Sequence, residues 1–164
     1  MAREILEGIR VLDMTMYQFG PVAAMMLATM GAEVIKIERP EGEPGRSPSR
    51  GAGGGPNRRV LTGSDLSSYF ETNNRCKKSL VLDLSKPKAR EVLYQLVAKS
   101  DVFVQNMRTG VAAKLGCDYE TLKKYNPKLI YCSGCGFGSR FGWPRTWKKM
   151  VRKTYWKTGN GREK

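Results

Sequence analysis

Histidine is missing from all 164 residues. Its absence removes Ser-His-Asp and Cys-His catalysis, a histidine general base and histidine metal ligands in one stroke. Cysteine is sparse: Cys76, Cys117, Cys132 and Cys135. Only the last two have a C-x-x-C spacing, and a zinc site needs a second pair that the chain lacks, so buried, reduced thiols and no metal are expected. Long apolar runs are also missing. The longest, Val22 to Met30, is far too short to span a bilayer, and no basic-then-apolar signal opens the chain. A cytoplasmic protein with no membrane partner is expected.

What is abundant is positive charge and glycine. The net charge is +14, but nine Lys or Arg in residues 139–164 stand against Glu163 alone, so that segment carries +8 of it. The remaining charge suits a polyanionic ligand and suits an ordinary solvated surface equally well. A hydrophobic fraction of 40% and 18 glycines imply long irregular connections around one modest core.

The stretch Ile9 to Arg39 sets the architecture. Apolar runs at Val11 to Met14 and Val34 to Ile37 suit strands covered on both faces, and the intervening segment is rich in small and large apolar residues. A strand Ile9 to Met14, a loop Thr15 to Gly20, a helix with Pro21 at its first position, and Gly31 at its end make a right-handed βαβ crossover. After Glu38 a long surface loop follows, with a Gly-rich run from Gly51 to Gly55 read as a flexible cover and not as a phosphate cradle. Further elements are a strand Ser79 to Leu84, a helix Ser85 to Ser100 with Ser85 as N-cap, and a strand Asp101 to Gln105. Helical patterns at Val111 to Leu115 and Tyr119 to Tyr125 and a strand Leu129 to Ser133 complete the series. The alternation predicts an α/β, mainly parallel sheet with helices on both faces. It also predicts two regions: residues 1–138, part of the α/β domain, and residues 139–164, a basic tail without core periodicity. Trp143, Trp147, Tyr155 and Trp156 among basic residues would suit stacking on nucleic-acid bases, but no nucleic-acid motif accompanies them, so a poorly ordered end is the preferred reading.

Functional groups in open α/β sheets collect at the carboxyl ends of the strands. Four such edges can be read: Thr15 to Gly20, Arg39 with its loop, Asn106 to Gly110, and Gly134 to Gly138. They offer a hydroxyl, an amide, two cations and exposed backbone N–H groups, which suits an extended anionic ligand better than it suits catalysis. No nucleophile–base pair is evident.

These motifs, LEGIRVLDMT, the Gly20-Pro21 turn, LATMGAEVIKIERP, NNRCKKSLVLDL, KSDVFVQN, GVAAKLG and NPKLIYCSGCGFG, appear in order from about Leu6 to Gly138. The chain resembles the N-terminal part of the class III CoA-transferase family, which includes formyl-CoA and carnitine CoA-transferases and 2-methylacyl-CoA racemase. The resemblance implies a Rossmann-like α/β domain that binds CoA, in an enzyme moving CoA from an acyl-CoA to a small carboxylic acid, with CoA as substrate and no tightly bound cofactor. In the family an aspartate carboxylate attacks the thioester, giving a mixed anhydride and then an aspartyl-CoA thioester. Chemistry of that kind needs no histidine, whereas the racemases use one. The resemblance places Gln18 near the reacting thioester in a supporting catalytic role, flanked by Tyr17 and Phe19, and Arg39 near the nucleotide. Asn106 matches the family's Asn, while Met107 replaces its usual Phe. Lys114 stands where Arg is frequent, keeping the charge but not the bidentate geometry. Cys135, Gly136 and Phe137 match a loop whose backbone faces CoA.

The family's catalytic aspartate lies downstream in a Gly-Asp context, and nothing in residues 139–164 resembles it. The chain therefore reads as a truncated or frame-shifted homologue. The family forms interlaced homodimers, and such a fragment is not expected to interlace. The alternative is a non-catalytic CoA or nucleotide-binding module, or an inactive remnant, with a nucleic-acid-binding tail as a further variant.

Overall fold

The computed structural model describes residues 4–46 and 67–135. Five strands, β1 (Arg10–Met14), β2 (Glu33–Glu38), β3 (Lys77–Val81), β4 (Val102–Gln105) and β5 (Ile130–Ser133), form one sheet in the order β3-β2-β1-β4-β5. Every pairing is parallel. The chain steps outward from β1 through β2 to β3, then crosses back to place β4 on the other side of β1. This is the α/β sheet read from the alternation of elements.

Helix α1 (Phe19–Thr29) joins β1 to β2. It packs over β1, β2 and β4, with Ala24 and Ala28 against Val11, Val34 and Val104. Small residues allow that approach, and a Cβ added at Gly20 would lie 2.4 Å from Thr15 Cβ. The helix begins two residues before the expected start, so Pro21 occupies its third position. That position is still in the first turn, where a missing N–H costs no helical bond. Helix α2 (Ser68–Asn74) was not expected. Its buried side chains are Phe70, Asn73 and Asn74, so polar residues hide the period.

Helices α3 (Pro87–Val97), α4 (Val111–Leu115) and α5 (Tyr119–Leu122) follow. They close a second core in which Leu93, Val97, Cys117 and Leu122 meet Leu12, Ile37 and Phe103 of the sheet. Full burial of side chains such as Leu12, Leu93 and Phe103 contributes about 1.5–3 kcal/mol each. Several expected boundaries shift: β1, β4 and β5 each start one residue later, and α3 and α5 each end three residues earlier. Strand β3 starts earlier and stops at Val81 because its ladder with β2 runs from Val34↔Lys77 to Glu38↔Val81. Ser85 does not cap α3: its hydroxyl and N–H both donate to Asp83 Oδ1, which turns the chain, and Lys86 takes the cap position. The burial expected for all four thiols holds only for Cys117. Cys76 lies on an exposed turn at φ 62°, Cys132 on the outermost strand, and Cys135 is exposed.

Residues 1–134 form one unit, and of a second, residues 135–164, only Cys135 is described. No helix among the described residues is long and apolar enough to cross a membrane. The Gly-rich run Gly51 to Gly55 and the whole basic tail, residues 139–164, lie outside the described residues.

Candidate functional site

Strand order reverses between β1 and β4, so the loops leaving these two strands part from one another and open a crevice at the carboxyl edge of the sheet. A cavity of about 710 Å³ occupies this edge. Its walls come from the ends of β1 to β4 and from α4: Thr15 to Tyr17, Ile37 to Pro44, Leu82 to Ser85, Asn106 to Arg108, Val111 and Leu115. One side is apolar, through Ile37, Met107, Val111 and Leu115, and the rim carries the exposed cations Arg39 and Arg108. Arg39 is held loosely, by Gly42 O at 3.3 Å and Glu41 at 3.8 Å.

The loop after β1 has an unusual attachment. Asp13 Oδ1 accepts from the Thr15 N–H at 3.0 Å and from its hydroxyl. The Lys36 ammonium donates to Thr15 O at 2.9 Å. Asn106 clasps Met16 twice, accepting from its N–H and donating to its carbonyl, both at 2.8 Å. Glu43 Oε1 accepts from the Tyr17 N–H at 2.8 Å, and Tyr17 takes a left-handed φ of 69°.

Beneath that loop lies a buried charge network on the α1 side of the sheet. Asp13 stands beside Lys36 in the β1–β2 register, and Lys36 beside Ser79 in the β2–β3 register. The Lys36 ammonium lies 2.6 Å from Glu43 Oε2, an ionic contact not aligned as a hydrogen bond, and 3.9 Å from Asp13 Oδ2. Side chains of Asp13, Lys36 and Glu43 are at most 2% exposed. Isolated charges there would be prohibitive, so each is matched. Glu38 Oε1 and Oε2 accept from the Arg46 guanidinium at 2.6 and 2.7 Å, and Ser79 and the Glu43 N–H add further bonds. Burial opposes the Glu38 charge, but Arg46, Glu43 and Ser79 together outweigh it and hold its pKa below the ordinary range.

Of the residues singled out in the sequence, Tyr17, Arg39, Asn106 and Met107 line this cavity. Met107 is 9% exposed and belongs to the core, while Asn106 spends its amide on Met16. Gln18 is exposed as the residue preceding α1 and does not line the wall; neither does Phe19, whose ring packs at Gly134, where an added Cβ would lie 2.5 Å from Phe19 Cε1. Lys114 is exposed on α4 away from the cavity. Cys135 is exposed, and Gly136 and Phe137 lie outside the described residues. Arg108 was read only as the cation of the Asn106 to Gly110 edge, and the Asp13–Lys36–Glu43 set escaped the sequence reading. The available signal was a pair of opposite charges, Asp13 and Lys36, inside two otherwise apolar strands.

A sequence profile of CoA-transferase family III matches residues 6–150, continuing past Gly138 into the stretch set apart as a basic tail. Among curated relatives, the succinyl-CoA:mesaconate CoA-transferase of Haloarcula hispanica is 43% identical over 144 residues, covering 86% of this chain and 33% of that protein. The formyl-CoA:oxalate CoA-transferase of Streptomyces coelicolor is 38% identical, covering 84% of this chain and 31% of its own. Among solved structures, Rv3272 of M. tuberculosis superposes with a TM-score of 0.72 at 34% identity, covering 97% of this chain and 43% of that one. A CAIB/BAIF family protein from Brucella suis gives 0.69 at 37% identity, covering 80% and 33%. The chain spans about a third of the length of the curated relatives it matches.

Proposed function

Because the chain belongs to CoA-transferase family III, we propose that it supplies the coenzyme A site of an enzyme that moves CoA from an acyl-CoA to a carboxylic acid. The observation that supports this most is the cavity at the β1–β4 switch point, with Arg39 and Arg108 on its rim and an apolar wall behind them. Guanidinium groups suit the phosphates of CoA, and the apolar wall suits its adenine ring or pantetheine arm. Tyr17, Asn106 and Met107 complete the contact set on that wall, while Gln18, exposed before α1 and off the wall, is not included in it.

In the reaction inferred for the whole protein, an aspartate carboxylate attacks the thioester carbonyl and expels the CoA thiolate. The thiolate then attacks the aspartyl carbonyl of the mixed anhydride, releasing the first acid and leaving an aspartyl-CoA thioester, which the acceptor carboxylate consumes by the same steps in reverse. We assign that nucleophile to none of the described aspartates. Asp13 is ion-paired and buried, Asp83 turns the chain at Ser85, Asp101 accepts from the Arg10 N–H, and Asp118 caps α5. This favours, as second reading, a chain that binds CoA without transferring it.

Calorimetric titration of the chain with CoA tests the shared part of both readings. Saturable binding is expected, and no heat at millimolar CoA would overturn it. A transfer assay with succinyl-CoA or formyl-CoA and a dicarboxylate then separates enzyme from binding module.

A further inference from the structure

Every backbone polar group from the Thr15 N–H to the Tyr17 N–H is taken by a side chain: Asp13, Lys36, Asn106 or Glu43. A loop fastened in this way takes its shape from those side chains and not from the ladder of the sheet. Tyr17 is the strained member. A bulky residue at φ 69° sits in a region that L-residues avoid, and it persists only where the surroundings over-determine it. What does so here is Glu43, fixed at both ends: its N–H donates to Glu38 Oε2 at 3.0 Å, and its Oε2 faces the Lys36 ammonium at 2.6 Å. Its remaining oxygen receives the Tyr17 N–H at 2.8 Å.

We propose that Glu43 is a positioning residue for the coenzyme site, holding Tyr17 in its left-handed conformation on the cavity wall through the Tyr17 N–H. The inference rests on the CoA reading of the cavity for its functional meaning, and on the geometry of the loop for everything else. Lys36 and Glu38 hold Glu43, and Glu43 holds the loop. The chain of contacts thus runs from the buried charges of β2 to a residue that lines the cavity.

Two substitutions break the bond in different ways. Glu43→Asp keeps the negative charge near Lys36 but is one methylene short of Tyr17. Glu43→Gln keeps the reach, but its single oxygen is claimed by the Lys36 ammonium, which turns the amide NH2 towards the Tyr17 N–H. Amide hydrogen exchange of the full chain, followed by NMR, reads the result at single residues, with the Val11 and Leu12 amides of β1 reporting that the fold is intact. In both variants the Tyr17 amide should exchange about tenfold faster or more, as for a lost bond to an ionised acceptor. A Tyr17 amide that stays protected in either variant overturns the proposal. Titration with CoA runs alongside, and both variants should bind more weakly than wild type. Wild-type affinity with a freed Tyr17 would overturn the link to the coenzyme site. If the wild-type chain binds no CoA, the coenzyme reading falls, while the exchange pattern still decides whether Glu43 sets the loop.

Discussion

The Lys77 ammonium on β3 donates to Asp13 Oδ2 on β1 at 2.7 Å, passing over the strand that separates them. Its two other bonds go to Pro21 O in α1 and to Asn74 Oδ1 in α2, at 2.8 Å each. One side chain thus joins two strands and two helices on the same face of the sheet. Burial drags the Lys77 pKa below its ordinary value, and Asp13 pulls it back only in part.

Lys77→Met should therefore destabilise the fold by about 3–5 kcal/mol, since it leaves the buried Asp13 carboxylate without its nearer cation. Adding Asp13→Asn should recover part of that loss. Urea unfolding of both single variants and the double variant gives the coupling directly, and additive effects would contradict the arrangement.

Glu38 gives an acid limb to the stability profile. Despite the opposing effect of burial, Arg46, Glu43 and Ser79 keep its folded pKa below the ordinary 4.5. As pH falls below that value the unfolded chain takes up the proton first, so the stabilisation present above it is lost as pH drops through the folded pKa. Arg46→Gln removes the main partner. The variant should be less stable at neutral pH yet decline less steeply in acid, measured as urea midpoints across a pH series.

At the alkaline end the sign reverses. Burial pushes the Cys117 thiol from 9.0 up to about 12. The folded state keeps a proton that the unfolded chain releases, so stability should fall as pH rises from 9 towards 12. Cys117→Ala should flatten this decline at a neutral-pH cost of about 1 kcal/mol for the lost sulfur contacts. It should not abolish it, because burial also lifts Tyr131 from 10.0 to about 12.

On the ligand side, Arg39→Ala and Arg108→Ala should each weaken CoA binding by about tenfold and reduce its dependence on salt. Calorimetry at two ionic strengths checks both. Unchanged affinity in both variants would remove the rim cations from the proposed site.

Much of this was visible in the chain itself. The apolar runs at Val11 and Val34, the alanines of α1 and the glycine after it, Gly31 at φ 99°, announce a βαβ unit through local pattern alone. The span of α4 also matches its pattern, Val111–Leu115. Strand ends and family motifs point to Tyr17, Arg39, Asn106 and Met107, and all four line the same cavity. The charge network was not visible. Asp13 and Lys36 become neighbours only through the β1–β2 register, and Glu43 reaches them from an irregular stretch with no period to read. Helix α2 was hidden for a related reason, since the side chains it buries include two asparagines.

The place of β1 in the sheet also governs when the protein can fold. One edge of β1 is completed by β2, which follows almost at once in the chain, but the other waits for β4, and the bond from the Arg10 N–H to Asp101 spans 91 residues. A ribosome must therefore deliver most of the α/β unit before its innermost strand is enclosed. Until then β1 presents an unpaired hydrogen-bonding edge flanked by Val11 and Leu12, which makes folding slow for the size of the unit and leaves the nascent chain exposed to mispairing.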